Sequence, residues 1–301
     1  MKPDQARAAQ GRGRGTAQAT EITAALVRAR RLPVPGDGGK EERGRLLVIA
    51  GSPELPGAAL LVADSGLRAG TGKVTVATAA ENRAALGLAL PEARVTALPA
   101  KPSRKLLAER DAIVIGPGME SGIATRWADA ALAGAGDAAL LLDAAALKKL
   151  WTNARMRRRQ RDNSAGGCIV TPHAGELAGM AGLDQAAIAR APEPAAADAA
   201  KHLGAIVVLK AGATTAIATP EGALFRYEGR IPGLAMSGSG DVLAGVIGGL
   251  LARGAKPLDA CLWGVFLHAE AGRRLSARLG AIGYRASELP RELPLLMEGM
   301  R

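Results

Sequence analysis

Between Leu46 and Thr78 the chain reads strand, helix, strand, and that succession constrains the fold more than any figure of composition. Leu46-Leu-Val-Ile-Ala-Gly51 is an unbroken apolar run, the pattern of a strand covered on both faces. Pro56-Gly-Ala-Ala opens a helix running to about Ala69, with proline where a first turn tolerates it. Lys73-Val-Thr-Val-Ala-Thr78 is the next strand. Two strands joined by one short helix run parallel, and a parallel sheet needs helices on both faces. Gly70-Thr-Gly72 follows the helix, so it reads as a helix stop and not as a dinucleotide fingerprint, which lies between strand and helix.

The pattern continues. Asp111-Ala-Ile-Val-Ile-Gly-Pro-Gly118 is a buried strand, followed by a helix from Ile123 to Ala133 and a strand from Ala138 to Asp143. Strands then run from Cys168 into Pro172 and from Ala205 to Lys210. Ala213 to Ala218 and Ala223 to Tyr227 read as a hairpin around Thr219-Pro-Glu-Gly222. Helices are expected from Leu258 to about Leu279 and near Ser287 to Met297. The fold class is therefore α/β with a doubly wound, mostly parallel sheet. Aromatic residues make up only 2% of the 301, so the core is built from Ala, Val, Leu and Ile, and no aromatic platform for nucleic-acid bases is available. With no run of eighteen apolar residues and no apolar leader core, neither a membrane span nor a secretory signal is expected. Cys168 and Cys261 fall in strand and helix, as buried thiols of a reducing, cytoplasmic setting.

The net charge of +11 is concentrated. Residues 1–45 hold ten Lys/Arg against five Asp/Glu, and residues 148–163 hold seven against one. The rest of the chain balances. This predicts a mobile basic arm over 1–38, with one helix near Glu21 to Arg30 packing Ile22, Leu26 and Val27, then one domain over 39–301 bearing a basic surface insertion near 148–163. A nucleic-acid-binding body is not indicated.

The richest chemistry lies in residues 234–251. Met236-Ser-Gly-Ser-Gly-Asp241 is a small-residue turn, and Val242, Leu243, Val246, Ile247, Leu250 and Leu251 share one face of the helix that follows. Asp241 sits in the first turn, beside unpaired N–H groups and the positive end of the helix dipole, which attract phosphate. It can act as a base toward a hydroxyl attacking phosphorus, or it can complement the dipole while Ser239 caps. Asp143 and Lys210 stand at strand carboxyl ends, Asp143 equally suited to meeting a ligand or to capping. His173 and Glu176, three apart, share one face of a first helical turn. Five strand-end loops thus carry glycines or charges, around Gly51 to Ala58, Gly116 to Gly118, Thr171 to Glu176, Lys210 to Thr215 and Gly238 to Asp241. In a doubly wound sheet such loops converge on one crevice. No Gly-x-x-x-x-Gly-Lys-Ser/Thr is present, which excludes a P-loop.

These stretches, in order, resemble the ADP- or ATP-dependent NAD(P)H-hydrate dehydratases of the ribokinase-like superfamily. The match rests on Pro56-Gly-Ala-Ala, Gly70-Thr-Gly-Lys-Val-Thr-Val, Gly116-Pro-Gly118, Thr171-Pro-His-Ala-Gly-Glu176, Val207-Val-Leu-Lys210 and Met236-Ser-Gly-Ser-Gly-Asp-Val-Leu-Ala-Gly245. Gly264-Val-Phe-Leu-His-Ala-Glu-Ala-Gly272 and Gly283-Tyr-Arg-Ala-Ser287 extend it. The resemblance implies a three-layer α/β/α fold and a repair reaction in which the hydroxyl of hydrated NADH or NADPH is phosphorylated from ADP or ATP and then eliminated as phosphate. It implies Asp241 as base, with Gly238, Ser239 and Gly240 donating to the transferring group. Ala58, Gly118 and His173 would line the hydrate pocket. Lys210, Ala211, Gly212, Ala213, Thr214 and Thr215, with Gly240, would hold the nucleotide. Glu176 would act on Mg²⁺ through water. A tetramer, and no nucleic-acid or membrane partner, are implied as well. In this chain Ala174 stands where the family commonly has proline, the Lys210–Thr215 stretch is one residue longer, and the epimerase domain often fused to the family is not expected. The alternatives are a ribokinase-like kinase of a vitamin-precursor alcohol, of hydroxymethylpyrimidine or thiazole type, and a polyanion-binding protein acting through the basic segments.

Overall fold

The computed structural model describes residues 18–34, 39–156 and 167–300. A ten-stranded sheet carries the molecule. Its strands are β1 (Thr20–Glu21), β2 (Arg45–Ile49), β3 (Lys73–Thr78), β4 (Arg94–Ala97), β5 (Ala112–Ile115), β6 (Ala139–Leu142), β7 (Cys168–Val170), β8 (Ile206–Ala211), β9 (Thr214–Ala218) and β10 (Leu224–Glu228). The spatial order is β1-β10-β9-β8-β7-β6-β5-β2-β3-β4. All neighbours are parallel except β8–β9 and β9–β10, the expected hairpin. The expected α/β architecture is what forms.

Helices cover both faces because the strands alternate sides with a period of two. Leu46 and Val48 of β2 pack into one apolar cluster, and Leu47 and Ile49 into the other. The first layer contains α1 (Ala24–Ala29), α2 (Pro56–Arg68), α9 (Ser239–Ala252), α10 (Pro257–Leu279) and α11 (Leu289–Glu298). The second contains α5 (Ser121–Gly134), α6 (Ala174–Ala181), α7 (Gln185–Arg190) and α8 (Pro192–Leu203). Short α3 (Arg83–Ala89) and α4 (Arg104–Leu107) flank β4.

The strand order reverses between β2 and β5. From β2 the chain winds outward to β4, then returns to set β5 on the other side of β2. The carboxyl ends of these two strands bound the crevice where open α/β sheets bind ligands.

Four expectations are corrected. The stretch foreseen as one helix from Glu21 to Arg30 begins as β1, paired with β10, and only Ala24–Ala29 is helical. Thr23 is the cap, its hydroxyl accepting from Leu26 N. The arm drawn over 1–38 therefore does not stay apart from the domain. Ile22 and Val27 are buried against it, and Trp263 Nε1 donates to the Arg30 carbonyl at 2.6 Å. The Gly11–Gly15 stretch lies outside the described residues. The basic segment near 148–163 starts inside the fold, where Leu150 and Met156 are buried among apolar neighbours, while its arginines 157–161 lie outside the described residues. Finally, α9 is apolar all round and not one-faced. It is a central helix, packed on α2, α10 and the sheet.

Close approach of α9 to α2 depends on missing side chains. A Cβ on Gly245 would sit 2.4 Å from the Val62 carbonyl oxygen, and one on Gly249 2.7 Å from that of Gly66. Those contacts are to backbone, which cannot swing aside.

Candidate functional site

Helix α9 sets the site. Twelve of its residues are buried, and the two that keep solvent access are Gly240 and Asp241 in the first turn. A helix sealed along its length and open at its N-terminal tip directs unpaired N–H groups and positive dipole at whatever enters. Gly238 is the N-cap, at φ +87°, and a Cβ there would lie 2.5 Å from Leu61 of α2. Only glycine combines that backbone with that clearance. Ser239 does not cap, contrary to one of the two sequence expectations. Its side chain is buried and its Oγ lies 3.0 Å from Nε2 of His268, on α10.

Four strand ends meet this tip. Lys210, near the end of β8, brings Nζ to 3.3 Å from the point a Cβ of Gly240 would occupy. The same Nζ lies 3.4 Å from Oδ1 of Asp143, which follows β6. Asp143 is 3% exposed and accepts from Thr171 Oγ1 at 2.7 Å. It makes no side-chain cap, so the capping alternative is not the one that forms. Ala144, next to it, is held at φ +48°. A non-glycine residue in that conformation marks backbone constrained by its surroundings. Across the reversal point, Gly116 packs on the Asp143 carbonyl and Gly118 on Ala58, whose β-carbon would be 2.5 Å from a Cβ at Gly118. Gly118, Ala58, Leu61, Gly238, Gly240, Lys210, Asp143 and Gly116 thus form a ring around the crevice.

His173 and Glu176 form a capping box at α6. His173 Nδ1 accepts from Gly175 N and Glu176 N at 3.0 and 3.2 Å, and Glu176 Oε2 accepts from His173 N at 2.8 Å. With Nδ1 accepting, the neutral ring carries its proton on Nε2. The capping seen here leaves one Glu176 oxygen for a ligand, while His173 Nε2 lies 3.6 Å from the other, Oε2.

The stretch expected as a nucleotide loop, Lys210 to Thr215, is mostly strand. Lys210 pairs with Thr215 and Ala211 with Thr214, leaving Gly212-Ala213 as a tight turn with Gly212 at φ +65°. A cavity of 310 Å³ is lined by Lys210, Gly212, Ala213, Thr215, Gly240 and His268, and also by His173. A second, of 600 Å³, is lined by Ala144, Ala145, His173 and Glu176 among others, so His173 is common to both. A third, of 260 Å³, opens at Gly51, Ser52, Met119 and Glu120, beside the Gly118–Ala58 contact.

Electrostatics tune two groups. The Asp241 carboxyl is pushed up to about 6, first by burial and then by the like charges of Asp143 and Glu176, with Lys210 opposing. It is ionised at neutral pH yet basic enough to accept a proton. His268 is pushed down to about 4 by burial and by the Lys210 charge, so it is a neutral hydrogen-bonding partner. His268 and Asp143 complete the site in ways the motifs did not assign. The available signal for His268 was a lone histidine interrupting the apolar face of Leu262, Val265 and Ala269.

Among the described residues no group of three or more His, Cys, Asp or Glu forms a metal cage. The Asp143 and Glu176 charges both act on Asp241, and Mg²⁺ needs no cage of three: it is commonly bound by one or two carboxylates together with substrate phosphates and water. No helix among the described residues is long and apolar enough to cross a membrane.

A profile of the NAD(P)H-hydrate dehydratase family matches residues 46–295. The ADP-dependent (S)-NAD(P)H-hydrate dehydratase of Xanthomonas campestris is 43% identical over 92% of this chain and 96% of its own. The bifunctional NAD(P)H-hydrate repair enzyme of Moorella thermoacetica is 34% identical over 93% of this chain, which spans 54% of that longer protein. In three dimensions, the ADP/ATP-dependent NAD(P)H-hydrate dehydratase of Bacillus subtilis, co-crystallised with ATP/Mg²⁺, superposes with a TM-score of 0.83 at 29% identity, covering 95% of this chain and 100% of its own.

Proposed function

The chain belongs to the NAD(P)H-hydrate dehydratase family, and from that premise we propose how its crevice restores hydrated NADH and NADPH. The enzyme dehydrates the damaged nicotinamide ring, using ADP as phosphoryl donor. The ring hydroxyl attacks the terminal phosphorus of ADP and gives its proton to Asp241, while the bridging P–O bond breaks and AMP leaves. The new phosphate ester then breaks at its C–O bond, and loss of a ring proton reforms the C=C bond. Hydroxide is a poor leaving group and phosphate a good one, which is why phosphorylation precedes elimination.

The observation that carries the reading is the open tip of α9, where Gly240 and Asp241 alone reach solvent beside the Lys210 ammonium. Backbone N–H groups of Gly238, Ser239 and Gly240 meet developing charge on the phosphoryl oxygens. Lys210 and the Gly212-Ala213 turn, with Ala211, Thr214 and Thr215, hold the nucleotide in the 310 Å³ cavity. Ala58 and Gly118 offer a shallow, side-chain-poor wall to the hydrate, and His173 Nε2 stands between the two parts of the site.

Mg²⁺ would be held through water by Glu176 and Asp143 and would supply charge neutralisation at the transferring group. A cytoplasmic setting and a tetrameric assembly complete the reading, supported by the family resemblance.

The test is recovery of absorbance at 340 nm from hydrated NADH with ADP or ATP and Mg²⁺. Recovery with ADP is expected. No recovery with either nucleotide overturns the reading, and a stable phosphorylated alcohol without regenerated dinucleotide assigns the chain to the kinase alternative.

A further inference from the structure

The basic excess of the first 45 residues has a place in the fold that the repair reaction does not use. Arg28, Arg31 and Arg43 line a cleft of 710 Å³ together with Arg68 and Arg253. The cleft gathers the C-terminal ends of α1, α2, α9 and α11, whereas the crevice opens at the N-terminus of α9. At 1.5 Å per residue, the fourteen residues of α9 separate the two by about 20 Å.

Two of the five arginines have structural employment. Arg253 donates to the carbonyls of Ala69 and Pro33 at 2.7 and 2.9 Å, and Arg68 faces Asp64 at 3.4 Å. The guanidinium groups of Arg28, Arg31 and Arg43 make no hydrogen bond or ion pair with any described residue. A single acidic residue, Glu298, lies among the lining groups. Three surplus guanidinium groups therefore face one concavity, whose walls are otherwise apolar through Leu32, Pro33, Met297 and Met300. Surface arginines diverge into solvent when they serve only solubility. Here they converge on a cleft of the size of small-ligand pockets, ~300–1,000 Å³.

We propose that this cleft is a second binding site, for a nucleoside di- or polyphosphate. The planar guanidinium forks match phosphate oxygens in pairs, and the apolar wall accepts the base and ribose. The cleft's aromatic lining residue, Trp263, is only 4% exposed and donates to the Arg30 carbonyl, so this concave pocket suits one small molecule better than a nucleic-acid strand, which needs stacking platforms along a groove.

The test is equilibrium dialysis of labelled ADP against the full chain and against the triple variant Arg28→Ser/Arg31→Ser/Arg43→Ser. The exposed, unpartnered arginines are replaceable without unfolding, which an unchanged near-ultraviolet circular dichroism spectrum and unchanged dehydration turnover verify. The native protein is expected to bind one more ADP per chain than the variant. That difference does not depend on whether the catalytic crevice itself takes ADP, so failure of the proposed function is read separately. Equal stoichiometry in the two proteins overturns the second site. A variant that keeps its ADP stoichiometry but loses binding of a labelled oligoribonucleotide also overturns it, in favour of a nucleic-acid surface.

Discussion

Ser239 Oγ and His268 Nε2, 3.0 Å apart, tie the first turn of α9 to the middle of α10. The bond joins a residue of the anion-receiving turn to a histidine that burial and the Lys210 charge keep neutral. It fixes how that turn presents its N–H groups, without itself carrying charge into the site. Ser239→Ala and His268→Ala should each lower kcat by about tenfold, the worth of one hydrogen bond, with KM for the hydrate nearly unchanged. Because one bond is lost in either case, the double variant should be no slower than the single ones. Multiplying losses would separate the two residues.

Asp241→Asn removes the proton acceptor while conserving shape. Turnover should fall by about 10²–10⁴, with ADP affinity within about threefold of the original. The same substitution should stabilise the fold. An unfolded aspartate ionises near 3.8 and this one near 6. The folded state therefore holds the proton longer, and ionised Asp241 costs stability that grows from pH 3.8 and levels off above 6, at about 3 kcal/mol. Thermal unfolding should show a larger gain for the variant at pH 7.5 than at pH 4.5. Equal gains would contradict the raised carboxyl.

The pH profile carries the same signature. The acid limb of kcat/KM should lie near pH 6, activity rising as Asp241 loses its proton. Asp143→Asn removes the nearest like charge and releases Lys210, and both changes favour ionised Asp241. The limb should move to lower pH yet stay above the ordinary aspartate range, since burial is the larger cause. A limb that moves upward would assign it to another group.

Gly245→Ala sets a methyl against the Val62 carbonyl oxygen at 2.4 Å. It should cost about 1–3 kcal/mol in denaturant unfolding and lower kcat as well, because α9 must shift and carries the reactive tip with it. Gly87→Ala in α3, where nothing lies within 4 Å, should gain about 0.5–1 kcal/mol without touching turnover. A neutral Gly245→Ala would show that the helix seam is slack.

The parallel strands were legible because β2, β5 and β6 are covered on both faces and spell nearly continuous apolar runs, with β3 and β8 broken only by Thr75 and Lys210. Other elements had no such signal. β4 is four residues, Arg94-Val-Thr-Ala, at the sheet edge, and β1 is only two, defined by pairing with β10 and not by its own composition. Helices α3, α7 and α8 are rich in alanine, which fits almost any packed helix and advertises no face. In the site, the motifs located Asp241, Lys210 and His173. The Lys210–Asp143–Thr171 cluster joins residues 67 and 28 positions apart, and such pairings follow from strand order, which no local pattern spells out. The hairpin at Gly212-Ala213 was misread as a loop because its turn is two residues long.

The pairing of β1 with β10 also bears on how the chain is made. Thr20 sits opposite Phe225, 205 residues later in synthesis. Among the described strands, the first to leave the ribosome must wait for the last. Meanwhile Leu46, Val48 and Val114, whose cover includes Val246 and Ile247 of α9, have only part of their lid on that face, from α2, until residue 252 has emerged. Nascent chains ending before α9 therefore display a sheet with one apolar side only partly covered, a target for chaperones and for premature association. The helix that completes the catalytic tip is also the one whose arrival ends that exposure, so catalytic competence and escape from aggregation are acquired together.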